Sequence, residues 1–305
     1  MSNLQKFLII SSVEDTASMN IRKNLLNSHE FKFSPLEFQW KDNQIYRLNE
    51  LEKNFSYHDY FDKCEIYLGL VKKPLIFLDD LKFNDPNFDP DYLIFASRHS
   101  SKTSRPALLV HTTGNWDEEA NFGGKPKDLS ITSALLHKAG YLSLKKTSQF
   151  YNLNYFNVDI EVTHHGPTSI NKPLIFMELG SNQQEWENEI AGKAVAESII
   201  ISILRFLHFI ELNDQVVALG FGGTHYGPNF GRLIENANVA FSFICPKYHI
   251  QKLTVKLIQQ MIENTVENID YFIIDWKGTN SEDKQHLIPL LEEFKIPIKK
   301  TRDFK

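Results

Sequence analysis

Short apolar runs alternate along this chain with stretches whose apolar positions recur at helical spacing, the pattern of an α/β fold with a mostly parallel central sheet and helices on both faces. Strands are predicted over residues 6–11, 66–71, 75–78, 92–96, 107–111, 158–163, 174–178, 216–221, 239–244 and 271–275. Several are apolar at consecutive positions, as strands buried on both sides are. Residues 16–26 follow the first strand as the helix of a βα unit. A long helix is predicted over 184–209, where Ile190, Ala194, Ala196, Ile199, Ile200, Ile203 and Leu207 fall near helical spacing and Ser181 with Gln184 resembles a capping box. Two more amphipathic helices are predicted over 253–267 and 283–294. NDPNFDPD (84–91) and NFGGKPKD (121–128) read as turn-rich loops. No internal repeat or low-complexity linker appears, so residues 1–305 are expected to form a single α/β domain, any smaller N-terminal part ending near residue 90.

Composition supports a packed core: 42% of the 305 residues are hydrophobic and 23% charged. The two cysteines, Cys64 and Cys245, are too few for a disulfide framework and too far apart in sequence for a paired thiolate zinc motif, which suits a reducing compartment. The opening MSNLQKFLIISS reads as a first strand rather than a signal peptide, and no apolar run is long enough to cross a bilayer. A soluble, cytoplasmic protein without a membrane partner is expected, with a monomer as the default. The net charge of -5 argues against bulk binding of DNA or another polyanion. It leaves room for a local basic patch, for which Lys125, Lys127, Lys138, Lys145, Lys146, Lys299, Lys300 and Arg302 are candidates; the plain alternative for each is an ordinary solvated charge.

The chemistry is positional. Histidines stand where apolar runs give way to Gly-, Thr- and Asn-rich turns: Arg98 and His99 after one strand, His111 ahead of Asn115 in the next, His164 and His165 together, and His225 after Gly222, Gly223 and Thr224. If these strands are parallel neighbours, their loops converge on one crevice at the carboxyl ends of the sheet. A convergent set of imidazoles with a nearby carboxylate can hold a metal or act as a metal-free base. Adjacent residues of a regular strand point to opposite faces, so His164 and His165 share a site only if the backbone turns there, as Gly166 and Pro167 allow. Glu161 is placed to orient one ring, and Glu178, between an apolar strand and a helix start, to bind metal or activate water. Lys247, Tyr248, Asp275 and Lys277 also follow predicted strands and are candidates for phosphate, developing charge or a substrate amine. The chain has no HExxH, GxSxG or P-loop signature.

SRHSS (97–101), VHTTGNW (110–116), EVTHHGPT (161–168), MELGSNQQEW (177–186), GFGGTHYGP (220–228), CPKYH (245–249) and DWKG (275–278) occur in an order that resembles the archaeal and plant D-aminoacyl-tRNA deacylases, from the first strand to the last helix. The resemblance implies hydrolysis of the ester between a D-amino acid and the 3′ end of tRNA. It also implies a phosphorylase/hydrolase-like fold related to peptidyl-tRNA hydrolase, and bound zinc, two ions per chain. On that reading His111, His164, His165 and His225 are the candidate metal ligands, Glu178, His165 and His225 the candidate catalytic residues, and Arg98, His99, Asn115, Gly222, Gly223, Thr224, Lys247, Tyr248, Asp275 and Lys277 the candidate substrate contacts. The amides of residues 222–224 or of the helix start at Ser181 are the expected oxyanion donors. Phe243 departs from the pattern, since family members commonly carry His there. The reading that the residues leave beside it is a metal-dependent hydrolase of small-molecule esters or amides.

Overall fold

In the computed structural model, which describes residues 4–83 and 88–304, the chain builds two sheets. The first half supplies β1 (Gln5–Ser12), α1 (Thr16–Leu26), β2 (Phe31–Trp40), β3 (Asn43–Leu51), β4 (Cys64–Val71), β5 (Tyr92–Ser100), β6 (Ala107–His111), the short pair β7 (Gly114–Asn115) and β8 (Asp128–Leu129), α2 (Ala134–Phe150), β9 (Asn157–Ile160) and β10 (Leu174–Ser181). The second half supplies α3 (Gln183–Trp186), α4 (Glu189–Leu212), β11 (Val216–Phe221), α5 (Pro228–Asn236), β12 (Val239–Cys245), α6 (Val255–Glu263), β13 (Tyr271–Ile274), α7 (Ser281–Glu292) and β14 (Ile298–Lys300).

The larger sheet has the order β2-β3-β4-β1-β5-β10-β6-β9. Its centre, β4-β1-β5-β10, is parallel, while β6 runs antiparallel to β10 and β9 follows β6 in parallel. The second sheet, β12-β11-β13-β14, is parallel throughout. On the large sheet the period-two alternation separates two cores. Ile94, Ala96, Ile175 and Met177 pack toward α1, α2 and α4 in a core that continues to Val239 and Phe241 of the second sheet. Leu93, Phe95, Leu174 and Phe176 face the other way, with the Phe95 and Phe176 rings stacked at 4.8 Å. This second face turns polar toward the ends of β5 and β10, and that change places the site.

Some expectations change. Residues 75–78 are a 3-10 turn (Leu75–Phe77) under the sheet rather than a strand. The predicted 184–209 helix is two helices: Ser181 ends β10, Asn182 caps α3, and Asn188 caps α4 by accepting the Ala191 amide. A second N-cap, six residues after the first, breaks the helix where periodicity alone reads through. The β2–β3 hairpin, α2 and α5 were not anticipated. Of the 84–91 loop, residues 84–87 lie outside the described residues. Lys138 is no surface cation but is buried over the Phe209 ring, its ammonium pushed down to about 8, chiefly by burial.

Within α4, Glu197 is buried, and its carboxyl is pushed up to about 7, first by burial; the Tyr151 hydroxyl opposes this and the charge of Glu30 adds to it. The folded chain therefore keeps a proton that the unfolded chain releases, and stability from this group is lost as pH rises from 4.5 through about 7. Glu197→Gln should remove that loss, which for a shift of this size is about 3 kcal/mol. Denaturation at pH 5 and pH 8 checks it: the variant should gain on the wild type at pH 8 relative to pH 5, and parallel curves would refute the assignment.

Candidate active site

Ser97 and His99 are two residues apart on β5 and therefore share a face, beside Glu178 of parallel β10, where Ser97 pairs with Glu178 in register. The Ser97 hydroxyl donates to Glu178 Oε1 at 2.6 Å. His99 Nδ1 lies 3.4 Å from Glu178 Oε2 and 3.7 Å from Glu161 Oε1. His111, at the end of β6, sits beside Phe176 because β6 is antiparallel to β10, and its Nε2 reaches to 3.5 Å from Glu178 Oε1. Both carboxylates are buried, Glu161 fully. Burial favours the neutral Glu178, but its contacts with His111 and His99 outweigh this and hold its carboxyl well below the usual range. Burial likewise opposes charge on His99 and His111, and the Glu178 contact leaves both raised.

After β9 the chain leaves the sheet, and residues 161–168 run between the two sheets. Glu161 N donates to Val110 O, Val162 N to His225 O and Thr163 N to Ile244 O. His165 adopts φ 43°, a left-handed conformation uncommon for a side chain-bearing residue. That turn allows both rings of the pair onto one site: the His111–His164, His164–His165 and His111–His165 ring centroids are 4.2, 4.5 and 4.7 Å apart. His164 Nδ1 contacts Val162 O at 2.7 Å and His165 Nδ1 contacts Gly166 O at 2.6 Å. A carbonyl only accepts, so Nδ1 carries the proton in each ring and Nε2 the lone pair. Burial, then the charge of His111, lowers both imidazoles, His165 to about 4.

Consequently the His164 Nε2 lone pair faces Glu161 Oε2, acceptor to acceptor at 4.0 Å, and that buried oxygen has no hydrogen-bond partner. His99 Nε2 and His111 Nε2 are also buried without one. Three groups among the described residues bring their ligand atoms close enough for one cation: His111–His164–His165, Glu161–His164–His225 and His99–Glu161–Glu178. The donor set of imidazole and carboxylate suits zinc.

His225, half-buried at the solvent edge, is held by Glu161 Oε1 on its Nε2 at 2.8 Å and by the Tyr248 hydroxyl on its Nδ1 at 3.1 Å. It opens on a cleft of about 640 Å³ also lined by Asp15, Arg98, His99, Asn115, Phe122, His164, His165, Glu178 and His249. Asn115 braces the wall, donating to the Gly123 and Lys125 carbonyls. The Phe122 ring stands 68% exposed at the lip.

Other candidates fall outside this cleft. The Gly222 and Gly223 amides donate to Cys245 O and Gly278 O, so these two are not free oxyanion donors, and Thr224 O accepts the Gly227 amide. Buried Asp275 accepts from Asn229 and the Gly278 amide and thereby shapes a turn. The Lys247 and Lys277 side chains are exposed and do not line the cleft. Phe243 is core, packed with Trp116 and Leu219, so the missing imidazole leaves the clustered set intact. Sequence reasoning missed Ser97, Asp15 and the cleft-lining His249, whose Nδ1 is 3.5 Å from Asp117. The two-residue spacing of Ser97 and His99 was the available signal for the first.

An α/β scaffold with buried carboxylates set against imidazoles beside an open cleft defines a class of protein equipped to activate water on a bound substrate. Residues 86–299 match the family model described as D-aminoacyl-tRNA deacylase. The chain is 35% identical over 292 residues to the D-aminoacyl-tRNA deacylase of Thermococcus onnurineus (94% of this chain, 96% of that one) and 32% identical over 305 residues to that of Methanosarcina acetivorans (99% and 95%). A crystal structure of a conserved protein of unknown function superposes with a TM-score of 0.81 at 30% identity, covering 100% of this chain and 98% of that one. The chain belongs to the D-aminoacyl-tRNA deacylase family.

Ser97→Ala removes a neutral donor from a buried carboxylate. A loss of about 1–3 kcal/mol in unfolding free energy with the fold retained is expected, checked by chemical denaturation and circular dichroism; unchanged stability would mean that the Glu178 carboxylate does not depend on this hydroxyl.

Proposed function

We propose that this chain hydrolyses the ester joining a D-amino acid to the 3′-terminal ribose of tRNA, releasing the free amino acid and tRNA, as a zinc-dependent monomer acting in the cytoplasm. The observation that carries the metal dependence is the His164 Nε2 lone pair set against the unpartnered Glu161 Oε2, two adjacent acceptors for which the chain supplies no donor and each of which a cation would satisfy. His111, His164 and His165 would hold one zinc ion and His99, Glu161 and Glu178 a second, since these two groups share no residue. Bound zinc supplies Lewis acidity toward the ester carbonyl and a lowered pKa for water.

The remaining chemistry falls to the chain. With Glu161 accepting from Nε2, the lone pair of His225 is on Nδ1, the atom that the Tyr248 hydroxyl reaches. His225 takes a proton there as water attacks the carbonyl carbon. It returns that proton to the ribose 3′ oxygen as the carbon–oxygen bond breaks. Glu161 fixes the ring and stabilises the imidazolium. Glu178, a candidate on sequence for binding metal or activating water, is better suited to ligation and charge anchoring, because a carboxyl held so far below its usual range is a weak base. Asn115 shapes the substrate wall and Tyr248 yields its place on His225 to the incoming water.

His225→Ala should lower kcat by about 10²–10⁴-fold and leave the metal content unchanged, whereas His164→Ala should lower the metal content as well. Elemental analysis beside steady-state assays separates the two roles, and loss of metal from the His225 variant would make that residue a ligand instead.

Release of tyrosine from matched D- and L-tyrosyl-tRNA tests the whole reading. D-selective release that falls on chelation and returns with zinc is expected. Metal-independent release would keep the substrate and remove zinc from the chemistry; absence of D-selective release would overturn the deacylase reading.

A further inference from the structure

Among the described residues lining the cleft, five are carboxylates, Glu14, Asp15, Asp117, Glu119 and Glu178, and Arg98 alone is a lysine or arginine. Its exposed guanidinium has no carboxylate within salt-bridge distance among the described residues. Asp15 accepts the Arg98 backbone amide on one oxygen and the Ser18 amide on the other, and it feels the Arg98 charge without bonding to the guanidinium. The guanidinium lies instead over the Trp186 ring, 5.3 Å from the centroid, and Trp186 is itself fixed by an indole N–H donated to His99 O at 2.8 Å. The ring that supports Arg98 is thus tied to the backbone of the residue whose imidazole touches both buried carboxylates.

A cation stacked on an aromatic face keeps its N–H edge free, and a guanidinium edge matches the paired oxygens of a phosphodiester. We propose that Arg98, braced by Trp186, clamps the phosphodiester on the 5′ side of the terminal ribose, the first phosphate from the scissile ester. The proposal rests on the deacylase reading above and names how that substrate is seated. The acidic remainder of the cleft disfavours a phosphate elsewhere, so this single contact also sets the direction in which the RNA end enters. The free carboxylate of the released amino acid is the other anion that a guanidinium here would take.

Equilibrium binding of the trinucleotide CpCpA, which ends a tRNA, and of adenosine, which has no phosphate, decides it without any chemistry. Arg98→Ala should weaken CpCpA binding by at least tenfold more than adenosine binding and flatten the salt dependence of CpCpA binding by about 0.7 in log–log slope. Arg98→Lys should restore part of the affinity, since it keeps the charge but loses the planar fork. Equal losses on both ligands, or no loss on either, would overturn the clamp, as would weaker product inhibition by free D-tyrosine in Arg98→Ala with CpCpA binding intact. Wild-type deacylation of D-tyrosyl-tRNA is assayed in parallel: if it fails while the CpCpA difference stands, the deacylase reading falls and the phosphate contact remains.

Discussion

Two carboxylates, Glu161 and Glu178, are buried within reach of the same imidazole, His99, and the architecture of the site follows from that constraint. Neighbouring buried negative charges are strongly unfavourable unless positive charge or donors surround them. Here Ser97, His99 and His111 supply that for Glu178, and His225 supplies it for Glu161 Oε1. Glu161 Oε2 receives no donor. The imidazole opposite it, His164, is committed by its carbonyl contact to presenting a lone pair. The protein has therefore built an incomplete electrostatic shell, and its unpaired atoms are imidazole and carboxylate donors, the types that bind divalent cations.

The fold achieves this with ordinary means. Strand alternation aligns Ser97 with His99 and sets both beside Glu178, while the reversal of β6 against β10 carries His111 to the same face. The excursion of residues 161–168 between the sheets brings Glu161, His164 and His165 from one side and meets His225 from the second sheet, with Thr163 N bonded to Ile244 O and Val162 N to His225 O. The second sheet thus contributes His225 to the site as well as a buttress.

Much of this was legible in the sequence, for reasons that also explain the gaps. The pairing of His164 with His165 was readable because Gly166 and Pro167 follow them, and a strand continuing through would have sent the rings apart. The strand-end positions of His99, His111 and His225 were readable from apolar runs meeting polar turns. The direction of β6 was not, since antiparallel placement is decided by packing across the sheet and leaves no mark on a five-residue apolar run. The expected convergence of parallel strand ends is accordingly realised through a reversal. Asp275, Gly222 and Gly223 looked functional because polar and glycine residues after strands suit ligand loops and tight turns equally, and here Cys245 O, Gly278 and Asn229 engage them. The helix break at Asn188 was visible as a capping residue, but the periodicity that begins at Ile190 was extended back past it to Gln184.

The charge distribution reconciles an acidic chain with an RNA substrate. Affinity for a polyanion ordinarily rests on many cations, and this protein has fewer lysines and arginines, 33, than aspartates and glutamates, 38. Several of the lysines that could have formed a patch are engaged: Lys127 with Glu118, Lys145 with Glu235, Lys138 in the core. Five carboxylates line the cleft and, among the described residues, Arg98 is its one lysine or arginine, so the fixed positive charge open to an anionic ligand is concentrated at the lip braced by Trp186. A lining of this composition suits recognition by position and hydrogen bonding more than by bulk attraction of charge.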